Sequence, residues 1–79
     1  MSSRLYLLND NIHSYDDVVF VLKQYLGYSD LQGASIADLV HRIGKCEIRI
    51  GEFEDLEFLK ETLMKEGYNL QLENDYEGY

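Results

Sequence analysis

Apolar residues recur along this chain in two alternating rhythms. A compact Leu-Tyr-Leu-Leu run within residues 4–8 predicts a first strand, closed by the strand-breaking Asn9, Asp10 and Asn11. Ser14 then stands three residues ahead of Asp17, which is capping-box spacing. Val18, Leu22, Tyr25 and Leu26 follow at helical intervals up to Gly27, a natural helix stop. Ser29 and Gln32 repeat the capping pattern for a second helix, with Ile36, Leu39, Val40 and Ile43 as its apolar face and Gly44 as its stop. Residues 45–50 switch to a period of two, which sets Cys46, Ile48 and Ile50 on one face and Glu47 and Arg49 on the other. Phe53, Leu56, Leu59 and Leu63 mark a third helix ended by Gly67, and residues 69–72 form a short last strand. The order β-α-α-β-α-β predicts an α+β fold, with three helices packed against a small three-stranded antiparallel sheet.

Length limits this to one domain. The chain has 79 residues, and the patterned part spans residues 4–73, leaving residues 74–79 as an expected flexible acidic tail. No apolar run approaches the roughly 20 residues a membrane helix needs. Cys46 is the only cysteine, so no intrachain disulfide can form, and a reducing, cytoplasmic setting is expected. Fifteen acidic residues against seven basic ones give a formal net charge of −8. Such a surface repels nucleic acid and anionic lipid, and it favours cationic ligands, among them a free α-amino group.

Two places carry more polar chemistry than folding demands. Asn9-Asp10-Asn11 sits where the first strand meets the first helix, and its short side chains equally suit turn formation. His41 lies near the end of the second helix, where a histidine also serves the helix dipole. Enzyme readings find little support. Ser14, Asp10 and His41 supply the residue types of a hydrolase triad, but no nucleophile-elbow or oxyanion segment accompanies them. Asp16 and Asp17 are neighbours and diverge on a helix. His13, His41 and Cys46 do not fall at zinc-ligand spacing, and no glycine-rich loop suits a phosphate. No catalysis, cofactor or metal is expected.

Taken together, the polar and apolar pieces resemble the ClpS family, the adaptors that deliver N-degron substrates to the Clp protease. The carrying residues are Leu7-Leu8-Asn9-Asp10-Asn11, the Val18-Val19 and Leu22 helix face, and Leu39-Val40-His41 followed by Gly44-Lys45. Gln71-Leu72-Glu73 is similar to the family's last strand. The resemblance implies that Asn9, Asp10 and His41 hold a protonated α-amine. It also implies that Tyr15, Val18, Ala37, Val40 and Tyr68 line an apolar pocket for a first residue such as Phe, Tyr, Leu or Trp. The family usually has methionine where Tyr15 and Ala37 stand and a leucine near Tyr68, so a pocket of altered shape is expected, with aromatic residues preferred. His13 replaces a threonine typical of this turn. Glu54 matches a glutamate used to dock on the N-terminal domain of a Clp-family AAA+ ATPase, while the family's nearby lysine falls on Leu59, with Lys60 next to it. Only three residues precede Arg4, where the family carries a segment needed to hand over clients. The expectation is that the sequence is trimmed or that delivery departs from the usual route. The alternative reading is an interaction module of the same fold with altered or lost client binding.

Overall fold

The computed structural model describes residues 2–75. It contains β1 (Ser2–Leu8), α1 (Tyr15–Leu26), α2 (Asp30–Ile43), β2 (Lys45–Gly51), α3 (Phe53–Lys65) and β3 (Asn69–Asp75). The strands form one antiparallel sheet in the order β2-β1-β3, so the first strand is central and is paired on both sides. The architecture is the expected β-α-α-β-α-β arrangement.

The first two helices begin where their caps dictate. Ser14 and Ser29 each accept from the backbone N–H three residues on, and Asp17 and Gln32 return the bond to the cap backbone. Gly27 ends α1 at φ 73°, in the left-handed region where a side chain would be strained. Helix α3 starts differently, because Glu52 makes no side-chain cap. Helices α1 and α2 approach closely at Gly33, where an added Cβ would lie 3.2 Å from Val19 Cγ1.

The core lies between the helices and one face of the sheet. Leu5 and Leu7 of β1, Leu22 of α1 and Leu63 of α3 are fully buried. The expected apolar faces hold for Val18, Leu22, Leu26, Val40, Leu56 and Leu63, but not at every position. Ile43 is 65% exposed at the last turn of α2.

Strand β2 departs from the expected simple alternation. Its pairing to β1 jumps from Leu5↔Arg49 to Tyr6↔Glu47, so Ile48 is an extra, bulged residue. The bulge puts Ile48 into the core and places Arg49 on the helix-facing side with Leu5. It turns Ile50 to the outer face opposite Arg4, where Ile50 is 53% exposed. The rearranged groups are satisfied: the Tyr28 hydroxyl donates to the Ile48 carbonyl, and Arg49 Nη2 donates to the Leu26 carbonyl at 3.1 Å, closing the end of α1.

Strand β3 runs three residues past the predicted 69–72. Asn74 and Asp75 pair with Ser3 and Ser2, and the buried Ser3 hydroxyl donates to Asn74 Oδ1 at 2.7 Å. The first two residues of the expected tail are therefore strand, and residues 76–79 lie outside the described residues.

Candidate functional site

The β1–α1 turn is organised around Asp10. Asp10 Oδ1 accepts from the backbone N–H of Ile12 and of His13, both at 2.8 Å, while Oδ2 faces His13 Nδ1 at 2.9 Å. A carboxylate only accepts, so His13 Nδ1 is the donor in this contact. Burial pushes the Asp10 carboxyl up, but the bonds from the His13 N–H, the His13 ring and the Ile12 N–H outweigh it. The group is held below its ordinary value. Asn9 follows the end of β1, and its backbone N–H donates to the Gly44 carbonyl at 2.9 Å. That bond ties the strand end to the C-terminal cap of α2, the helix end that carries His41.

His41 is exposed, and its Nδ1 meets the Ala37 carbonyl at 3.0 Å. A carbonyl also only accepts, so Nδ1 carries the proton and the neutral ring offers an acceptor lone pair at Nε2. Tyr15, the first residue of α1, crosses to α2. Its hydroxyl donates to the Ala34 carbonyl at 3.0 Å, and its ring centroid lies 6.1 Å from that of His41. Positions 34, 37 and 41 share one helical face, so the Tyr15 ring runs along the stretch of α2 that holds Ala37.

The other predicted lining residues are closed. Val18, Ala37, Val40 and Tyr68 are 4%, 0%, 1% and 7% exposed and belong to the main core. Tyr15 is the exception, at 41% exposed. A shallow groove of about 430 Å³ opens instead by the N-terminal half of α2, lined by Tyr28, Leu31, Gln32, Ser35 and Ile36, and it contains none of the predicted residues. Glu54 is exposed on the first turn of α3, a different element from the other candidates.

Sequence reasoning passed over His13. Its ring stacks on Tyr68 with centroids 3.8 Å apart and planes at 15°, and it packs against Gly67. The readable signal was its place three residues after Asp10, the reach of an Asx-type turn. Tyr68 in turn donates to the Asp17 carbonyl at 3.0 Å. Burial, then the charges of Asp17, Asp10 and Glu66, push its phenol up to about 12. The unfolded chain releases that proton near pH 10, so Tyr68 contributes stability below this value that is lost as pH rises toward 12. Denaturant titrations at about pH 9 and about pH 11 check this, with an expected loss of about 1 kcal/mol from this group. Tyr68→Phe should flatten the decline, and a variant as alkali-sensitive as the parent would contradict the assignment.

Burial first, and the Glu47 charge second, push the Cys46 thiol up, which keeps it a poor nucleophile. Among the described residues, no three His, Cys, Asp or Glu side chains converge on a metal position. No described helix is long and apolar enough to cross a membrane.

The three helices over a three-stranded antiparallel sheet, in the order β-α-α-β-α-β, define a small α+β domain class. The family model for ClpS, the ATP-dependent Clp protease adaptor protein, matches residues 2–73, and the chain belongs to that family. The fold is similar to the solved structure of Agrobacterium tumefaciens ClpS2 bound to L-phenylalaninamide, with a TM-score of 0.84 and 24% sequence identity. That match covers 94% of this chain and 96% of the other. A further similarity is to the human E3 ubiquitin-protein ligase UBR2, 27% identical over 59 residues. It takes in 75% of this chain but spans only 3% of that protein's length.

Proposed function

We propose that this protein is an adaptor that binds the free N-terminal amine and bulky hydrophobic first residue of N-degron clients and delivers them to a Clp ATPase-protease. The observation that carries the reading is the orientation of the polar corner. Asp10 presents a fixed, ionised carboxylate, and His41 has its proton committed to Ala37, which leaves Nε2 to accept. Asn9 is next to Asp10 in the chain, and its backbone bond to the Gly44 carbonyl ties that turn to the end of α2, the helix that carries His41. An α-ammonium group brings three donors and one positive charge, which is the complement of these acceptors. The L-phenylalaninamide named with the Agrobacterium structure has a free amine of this kind and a benzyl side chain.

The apolar floor would be Val18, Ala37 and Val40, with Tyr68 behind it and Tyr15 as the cover. Tyr15 is held by a single hydroxyl bond to a backbone carbonyl, so a rotation of its side chain uncovers α2 next to Ala37. In that position its ring would lie against a Phe, Tyr, Leu or Trp side chain and favour the aromatic ones. Delivery would use Glu54 and the acidic first turn of α3 against the N-terminal domain of the ATPase. The second reading, an interaction module with altered clients, is favoured by one observation: the floor residues are shut into the core with Tyr15 across them.

Fluorescence anisotropy with a labelled peptide beginning with Phe separates the two. The adaptor reading expects a dissociation constant in the micromolar range or tighter, about −8 kcal/mol, lost when the same peptide is N-acetylated. Equal affinity for the free and acetylated peptides, or no binding by any Phe, Tyr, Leu or Trp peptide, would transfer the case to the interaction module.

A further inference from the structure

We infer that His13 is a positioning residue for client binding: it clamps the Asp10 carboxylate so that one acceptor position on Oδ2 is left facing the ligand. This inference rests on the amine-binding reading above and adds a residue to it.

A carboxylate has about four lone-pair positions. In Asp10 three of them are taken: two on Oδ1 by the backbone N–H groups of Ile12 and His13, and one on Oδ2 by His13 Nδ1. Two bonds on one oxygen would still allow the carboxylate to rock about them. The third, on the other oxygen, fixes its plane. A preset acceptor loses little freedom when the client arrives, which is the source of affinity in a rigid site.

The clamp is itself held. The His13 ring lies flat on Tyr68, and the Tyr68 hydroxyl is anchored to the Asp17 carbonyl at the start of α1. The ring is thus fixed between the β1–α1 turn and the turn that enters β3, and its side chain is 16% exposed, against 9% for that of Asp10. The charged or titratable groups that face it are Asp10 on its own turn, Asp17 on α1, and Tyr68 ahead of β3. Nδ1 donates to the carboxylate whether or not the ring carries a second proton, so the clamp does not require a charged imidazole.

Two variants separate the clamp from the packing. His13→Phe keeps an aromatic ring on Tyr68 and removes the donor, while His13→Gln keeps a donor within reach of Asp10 and gives up the stack. The probe is the labelled Phe-initiated peptide, with the N-acetylated peptide as control. His13→Phe is expected to weaken binding about tenfold or more, and His13→Gln to recover part of that loss despite being the less well packed variant. In parallel, the Asp10 carboxyl carbon is followed by NMR through an acid titration. Its midpoint is expected to rise in His13→Phe, since one of the bonds that hold it down has gone. His13→Phe binding as tightly as the parent, or binding that follows packing so that Gln is the weaker variant, overturns the inference. If the parent binds none of the peptides, the adaptor reading has failed instead. The NMR titration then still decides the clamp, and an unmoved Asp10 midpoint would overturn it.

Discussion

Leu22→Ala is expected to remove about 3 kcal/mol of stability, a large share of what a domain this small possesses. Leu22 is fully buried in the middle of α1, within the main core cluster. Alanine is the better helix former, so the substitution costs nothing in helix propensity and reports packing alone. The loss has two parts, the transfer free energy of the missing methyl groups and the contacts left unmade around the cavity. Phe20, two residues earlier on the same helix, is 65% exposed, and Phe20→Ala should change stability by only about 0.5 kcal/mol. Urea denaturation of the two variants against the parent provides the measurement. A Leu22→Ala loss below about 1 kcal/mol, or one matched by Phe20→Ala, would mean that the core collapses around the gap and is not as tightly packed as its burial indicates.

The largest functional effect is expected at Asp10. Asp10→Asn keeps the size of the side chain and one carbonyl oxygen for the Ile12 and His13 N–H groups, but it removes the negative charge that the proposed adaptor site would set opposite a client's ammonium. Losing the charged partner of a shielded, charge-assisted bond costs about 2 kcal/mol or more, which is about thirtyfold in the dissociation constant. The carboxyl is held below its ordinary value, so the parent is ionised throughout the neutral range and the comparison at neutral pH is between a charged and an uncharged site. Asp10→Ala should be weaker still, since it also releases the His13 ring and both turn N–H groups. Anisotropy with the Phe-initiated peptide measures both variants. Binding by Asp10→Asn within about threefold of the parent would remove Asp10 from the amine site and leave it as a turn residue only.

These two residues show how differently a core and a site are written into a chain. Leu22 is legible from its spacing to Val18 and Leu26, because a helix brings residues four apart onto one face whatever else the protein does. The turn at Asp10 is legible as a turn and, through the residues around it, as a family motif. What Asp10 touches is not legible, because the His13 ring has to be pressed down by Tyr68, which is 55 positions further along the chain. Tyr68 itself fits a pocket lining in the linear pattern. In the fold it is the bed for His13.

Local hydrogen bonding and periodicity are properties of neighbours, and here they determined the helix caps at Ser14 and Ser29, the stops at Gly27 and Gly44, the order of the six elements and the buried faces of the helices. The tertiary structure decided the rest. The bulge at Ile48 sends Ile50 outward, and it exists because Tyr28 and the end of α1 meet β2 there. Strand β3 continues to Asp75 because Ser2 and Ser3 of the central strand are free to pair with it. Tyr15 lies across α2 because the close approach at Gly33 brings the two helices within reach of one side chain. Each of these depends on partners distant in the chain, and alternation along a single segment carries no record of them.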